Sequence, residues 1–446
     1  MKTGSRGAAF ITAGCAAVNL DLPIQIVKAI QRRVYHALSL ERMSGKFGVL
    51  ALNMVFLMAY FNLEGIFVNT LLLRVSDGDM RTVLVYRAVT FAFSALGIWV
   101  ATLFSGKINS VIAIKIGCIL YAASFVILFF GAEHITSLMY VVGALVGAAG
   151  GVYFLGHNML LTHYTTPQNR ALGLAIMTII QGSMALLMPL VSGLVIGAIY
   201  GMLGYRIMFG VAIGAIITQI SFARKLSPVA TTPKKGQLRA ASRLILGRFT
   251  LRLTLLLEFF RGLREGVFTF FLSIVLFEIV ASESIVGVNA FLAGGASIVA
   301  AWLYGRIATP RNRAGIAGIC ALAAVGFCAL LLLSLNPFTI ILLSIVNAFL
   351  AMLVMNCVNN TTFDIFAHDE ASRSVMAELM AFRELPIQLG RLGGIVAVGL
   401  FPATLRGYVH AMLALSATIL IVALLLHIIR RVKENEAKQE STAVES

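Results

Sequence analysis

Charge is scarce in this sequence: 12% of its 446 residues are Asp, Glu, Lys or Arg, 59% are apolar, and the mean hydropathy is +0.92. Soluble domains carry about twice that charge, so a water-soluble fold is excluded. Short segments of alternating apolar and polar residues are missing too. The apolar runs are unbroken, as over 314–335, which excludes a β-barrel. Cysteine is sparse and unpatterned: Cys15, Cys118, Cys320, Cys328 and Cys357 show no CxxC spacing, and four of them lie in apolar runs. They read as small buried hydrophobes, which excludes a disulfide or metal framework. No phosphate-cradling GxxxxGK[ST] occurs, which argues against ATP-driven pumping, and no metal-ligand spacing or nucleophile motif points to an enzyme. No cofactor is therefore expected.

What is present is enough apolar sequence for roughly a dozen membrane helices of about 20 residues each. The runs predict an all-α integral membrane protein with spans at 47–73, 81–105, 109–131, 135–162, 170–200, 204–223, 252–280, 284–306, 313–334, 337–363, 373–402 and 407–430. Acid is the scarcer sign, with 19 Asp and Glu against 35 Lys and Arg. In a soluble protein the resulting +16 would suggest nucleic acid. Here the cations report topology and no nucleic-acid partner is expected. With the termini cytoplasmic, 25 Lys and Arg fall inside, and only Arg74, Arg81, Arg206 and Arg406 fall outside, a strong positive-inside bias. Both termini of a multi-pass protein of the plasma (inner) membrane are then cytoplasmic. Thr12-Ala13-Gly14-Cys15 faintly resembles a lipoprotein signal, but the apolar patch before it is short, and cleavage would put the basic stretch 28–46 on the wrong side. Residues 24–38 predict an amphipathic helix on the inner membrane surface.

The loop Arg224–Arg252 holds eight Lys or Arg and no acid, and it divides the spans six and six. An internal repeat agrees with that division. Leu63-Glu64-Gly65-Ile66-Phe67 echoes Arg264-Glu265-Gly266-Val267-Phe268 at an offset of 201, and Arg170 with Gln181 echoes Arg373 with Glu384 at 203. The parts read as a basic extension 1–45, a bundle 46–223, a basic linker 224–251, a second bundle 252–431 and a disordered tail 432–446. Twelve spans, a basic central loop and two homologous halves resemble the major facilitator superfamily over residues 46–431. Ser105-Gly106-Lys107-Ile108-Asn109 is a reduced form of its loop signature between spans two and three, with a partial second copy from Gly305-Arg306 to Arg313. Gly182 to Met188-Pro189-Leu190-Val191-Ser192-Gly193 resembles the proline-glycine motif of its proton antiporters. The resemblance implies that helices 1, 4, 7 and 10 line a central cavity, that 2, 5, 8 and 11 flank it, and that the rest face lipid. It also favours a monomer.

Charges inside the membrane cost about 2.5–3.5 kcal/mol each near its centre, so they mark polar pathways or ion pairs. Five carboxylates, Glu64, Glu258, Glu265, Glu378 and Glu384, match five arginines, Arg87, Arg261, Arg264, Arg383 and Arg391. They lie in spans 1, 2, 7 and 11. Glu258, Arg261 and Glu265 share one face of the seventh span, with Arg264 beside them. That face reads either as a structural ion ladder or as a cavity wall that changes partners. Glu384, Gln388 and Arg391 form a face in span 11, where Pro386 is expected to kink the helix and where gating or interdomain pairing is as apt as substrate contact. Asn53, Tyr60 and Glu64 share a face of span 1, with Arg87 at the depth of Glu64. His157 and Asn158 in span 4, Asn356, Asn359 and Asn360 in span 10, and Gln181 in span 5 add polar groups toward the inner third.

These features point to a secondary active transporter of a small solute. Proton coupling needs a carboxylate whose affinity for protons changes between states, and Glu64, then Glu265 and Glu258, are the candidates, with Arg87, Arg261 and Arg264 as counter-charges. The antiporter-like stretch favours export. A lipid or glycolipid flippase, or a non-transporting sensor or scaffold, remains the alternative. The basic cytoplasmic segments are expected against anionic headgroups.

Overall fold

The structure, a computed structural model, describes residues 43–103, 109–166, 169–199, 201–228 and 237–445. The expected amphipathic helix 24–38, Cys15, the loop residues Ser105 to Ile108 and the linker residue Pro233 lie outside them. Twelve long helices are present among the described residues, and no strand. They are α1 Gly45–Val75, α2 Met80–Leu103, α3 Ser110–Gly131, α4 Ile135–Tyr164, α5 Arg170–Ala198, α6 Leu203–Ala223, α7 Phe249–Val280, α8 Glu283–Ile307, α9 Arg313–Leu333, α10 Pro337–Phe366, α11 Met376–Gly399 and α12 Leu405–Glu445. Local chemistry starts several of them. Ser44, Asn109, Ser282 and Asn336 each accept a backbone N–H of the first turn, and Asn336 and Thr339 form a capping box within which Pro337 takes the first helical position.

By length and composition alone, nine stretches of the described residues could cross a membrane. One of these, Ser110–Tyr164, is two helices folded back at the turn Ala132–His134. Two more helices, α7 and α11, fall short of that criterion because they carry the buried charges. The last helix differs from expectation in length: it runs on to Glu445, over the segment expected to be a disordered tail. No Gly or Pro follows Gly407, and Arg430 and Glu434 pair one turn apart, so nothing in the sequence stops it.

Each packed pair of the first six helices has a counterpart in the second six: α1–α5 with α7–α11, α1–α6 with α7–α12, α2–α4 with α8–α10, α3–α4 with α9–α10, and α3–α6 with α9–α12. Between halves, α2 packs on α11 and α5 on α8, an arrangement that exchanging the halves leaves unchanged. The protein is two homologous six-helix bundles. Glycine sets the approach at α5–α8: a Cβ on Gly287 would lie 2.6 Å from the Pro189 carbonyl, and one on Gly193 2.6 Å from that of Glu283. Large apolar side chains such as Leu333, Leu400, Phe130 and Ile319 stand more than two-thirds exposed, as a lipid-facing surface requires.

The apolar core shared by the two halves lies toward one end, and α2 meets α11 toward the other, where the Trp99 and Phe382 rings stand 6.0 Å apart. One apolar core unites α1–α6 with the stretch Val267–Phe277 of α7 and with α9 to α12 residues such as Leu331, Ile340 and Met412. These lie at the end away from the chain termini. At the end that bears the termini, the second half keeps a separate core around Leu257, Ala321, Cys357 and Leu425. There the linker helix Gln237–Gly247 rests on α7 and α11. Arg248, which follows it, bonds Asp369 and lies 3.2 Å from the Ser372 hydroxyl. The Arg248 guanidinium holds the Asp369 carboxyl well below the usual carboxylate range.

Candidate functional site

The candidate site grows from the α7–α11 contact. Gly262 and Gly266 on α7 face Gly390 and Gly394 on α11, each pair four residues apart; a Cβ at Gly262 would lie 2.5 Å from the Ile387 carbonyl. This close approach lets arginines of α11 reach the carboxylates of α7. Glu258 is fully buried, with Arg261 Nε 2.8 Å away, Arg383 Nε 2.5 Å away and the Thr362 hydroxyl donating at 3.1 Å. Arg383 also donates to Asn359. Arg261 Nη1 lies 3.3 Å from Glu265, which Arg391 binds from α11. Arg391 in turn lies 3.4 Å from Gln388 Oε1 and stands 5.6 Å from the ring of Phe91 on α2, in the other half.

The charged face read from the sequence is therefore a continuous ladder, and its accessibility is graded. The side chains of Glu258, Arg383 and Arg261 are 0%, 10% and 11% exposed, those of Glu265 and Arg391 23% and 25%. Water reaches the Glu265–Arg391 rung far more readily than the Glu258 rung. Arg264 stands apart: it is buried, donates to Asn347, stacks 4.0 Å from the Phe268 ring, and has no carboxylate within 4 Å among the described residues. Glu384 is half-buried in electrostatic reach of Arg261. Neither it nor the half-buried Glu378 makes a direct ion pair among the described residues. Pro386 sits inside a continuous helix.

In the first half, Glu64 opens a π-helical turn, Glu64–Val68, within α1. Arg87 donates to the Gly65 carbonyl at 2.9 Å and to that of Glu64 at 3.4 Å, and its Nη1 lies 3.2 Å from the Glu64 carboxylate. Tyr86 donates to the same carboxylate at 2.6 Å, and Arg87 Nε donates to Asn69 at 2.9 Å. The expected pairing of Glu64 with Arg87 is present, sealed from solvent. Glu64 and Glu265 match in sequence, yet their cations come from non-equivalent helices, α2 for one and α7 with α11 for the other.

Asn53 and Tyr60 are buried inside the first bundle. Tyr60 donates to Gln219 of α6 at 2.9 Å, and the Gln219 amide donates to the Asn53 carbonyl at 2.9 Å and to Tyr153 at 3.1 Å. His157 is buried against Tyr153, rings 6.1 Å apart and nearly parallel. Asn158, Gln181 and Asn360 are exposed; Asn356 and Asn359 are half-buried. Asn359 is thus the member of the α10 set that joins the ladder.

Residues that sequence reasoning passed over tie the halves together at the end away from the termini. Arg74 lies 2.6 Å from Glu283, whose side chain is 4% exposed, and Tyr205 donates to Glu283 at 2.9 Å while sitting 3.0 Å from the Thr70 hydroxyl. Arg74 also stands 5.9 Å from the ring of Phe277. Arg74 reads in sequence as a loop charge, and Glu283 as a loop residue before its helix. Gln219, a lone amide in the apolar run 204–223, carried the one signal that could have been used.

The model of the Major Facilitator Superfamily matches residues 46–387. The chain belongs to that superfamily. Among its relatives is the uncharacterized protein YqgE of Bacillus subtilis (strain 168), 24% identical over 385 residues, 85% of this chain and 88% of the relative. Solved structures of the same fold include a bacterial homolog of the human lysosomal transporter Spinster, in an inward-facing and unoccupied conformation, at 18% identity, 87% and 98% coverage and a TM-score of 0.61. A D-xylose–proton symporter superposes at 13% identity, 85% and 95% coverage and a TM-score of 0.63. As a member of the superfamily, the chain is a multi-pass membrane transporter that acts on small molecules. Its two half-bundles match the architecture and the twelve spans expected from the sequence.

Proposed function

We propose that this protein is a proton-coupled secondary transporter that moves a small solute across the plasma membrane by alternating access, in the direction of export, and that it works as a monomer. The observation that carries this reading is the unequal union of the halves: a shared core and the Arg74–Glu283–Tyr205 latch at one end, and at the other a separate core in the second half, with α2 and α11 meeting there at Trp99 and Phe382. Positive-inside placement puts the less tightly joined end on the cytoplasmic side, with the basic linker against anionic headgroups. The conformation is then open inward, and rocking about α2–α11 and α5–α8 reverses it.

Glu265 is the proposed proton site. It is the better exposed of the two ladder carboxylates, and its partner Arg391 reaches the other half at Phe91. Protonating Glu265 would release Arg391 and leave Arg261 to Glu258, so the rung at the seam changes with proton occupancy. Glu64 and Glu258, sealed among their cations, serve as fixed anchors in this conformation. The α5 stretch that resembles the antiporter motif ends at Gly193, against α8, which supports export. Proteoliposomes holding the purified chain, challenged with amphipathic, sugar and amino-acid compounds, test the reading. At least one compound class should drive proton movement in the parent, and Glu265→Gln should abolish it. No compound-driven flux in the parent refutes transport of these classes; loss in Glu64→Gln alone moves the proton site to the first half.

A further inference from the structure

On the end that bears the termini, α9, α10 and α12 enclose a cleft of about 290 Å³ that the ion ladder does not touch. Arg311, Arg313, Arg430 and Lys433 line it, against two carboxylates, Asp364 and Glu434. Arg313 Nη1 lies 2.5 Å from Asp364, and Arg430 Nε lies 3.5 Å from Glu434. Arg311 has no carboxylate within 4 Å among the described residues, and Lys433 reaches only the Asp364 backbone carbonyl, at 3.4 Å. Arg430 Nη1 donates to the Arg311 carbonyl at 2.7 Å. The cleft thus holds more cationic than anionic side chains. Its floor is apolar, formed by Ala314, Leu426 and Ile429. It lies where α9 begins and α10 ends, at the ends of two helices read as membrane spans.

We infer that this cleft binds an anionic glycerophospholipid, its phosphate among Arg311, Arg313 and Lys433 and an acyl chain along the floor. A free phosphate would satisfy the cations but leave the floor wet, and a choline headgroup would bring a further cation to a site already rich in them. The inference stands apart from proton coupling, because none of these residues belongs to the ladder.

The test uses the full chain in nanodiscs of phosphatidylcholine with graded phosphatidylglycerol, followed by native mass spectrometry of the lipid retained. The double variant Arg311→Gln/Lys433→Gln should weaken phosphatidylglycerol retention about fivefold per cation removed, equivalent to about 1 kcal/mol each. Arg406→Gln, at the opposite end, should leave it unchanged. Ala314→Trp, which fills the floor without altering charge, should also lower retention, and it keeps the test decisive if the double variant folds poorly. Equal retention by parent and Ala314→Trp overturns the site. Inorganic phosphate that raises the thermal midpoint of the parent and displaces the lipid at millimolar concentration identifies a free anion as the ligand and overturns the lipid assignment.

Discussion

Glu258 and Glu265 lie two helical turns apart on one face, yet their surroundings separate them. Glu258 is sealed with two guanidinium groups and a hydroxyl around it. Removing its charge strands Arg383 in a low-dielectric interior and leaves Arg261 to Glu265 alone, a change that costs about 3–5 kcal/mol when one partner of a buried pair is lost. Glu258→Gln is therefore expected to lower the thermal midpoint of the detergent-solubilised protein clearly, and Glu265→Gln, with water at hand, to lower it much less. Thermal unfolding followed by size-exclusion chromatography compares the two, and equal losses would contradict the gradient of accessibility. The i, i+3, i+7 spacing was readable in the sequence, and so was the shared face. Which rung water reaches was not, because that depends on α10 and α11 supplying Thr362, Asn359 and Arg383 from more than 90 residues away.

Between elements, small residues decide how closely helices meet and so which side chains can touch. At α5–α8 the Gly193–Gly287 contact brings Ser284 within 3.3 Å of the Gly193 carbonyl. A valine at Gly287 would press on the Pro189 carbonyl and wedge the helices apart. With Cys15 replaced, a cysteine introduced at Ser284 should react slowly with a maleimide in the parent and several-fold faster in Gly287→Val; unchanged reactivity would show that α5–α8 does not hold that end shut. The spans themselves were legible in hydropathy, their ends within a few residues except for the long last helix. The π-turn at Glu64 was not, since Glu64-Gly65-Ile66-Phe67 and Glu265-Gly266-Val267-Phe268 read alike. The first opens a π-turn whose carbonyls accept from Arg87; the second stays α-helical, with Gly266 packed against the Arg391 backbone.

At the scale of the whole molecule, the two bundles repeat one packing pattern and meet through pairs that respect it, while their shared core closes one end. In the proposed orientation the closed end is external. An impermeant maleimide on intact cells should label a cysteine at Glu133, in the α3–α4 turn, and should reach one at His368, between α10 and α11, only after permeabilisation. The reverse pattern would invert the proposed direction of opening.

Hydropathy and the placement of Lys and Arg are sums over local sequence, and each span inserts largely on its own composition. The number of helices, their alternation, the division into two halves and the superfamily were accordingly readable from the chain by itself. The pairing of charges was decided only in the folded protein. A buried guanidinium binds whichever carboxylate the packing brings within about 4 Å, and packing is set by glycines and turns on helices far apart in sequence. That is why Glu64 answers to Arg87 while its repeat partner Glu265 answers to Arg391, and why Arg74 and Glu283, unremarkable in sequence, latch the two halves together.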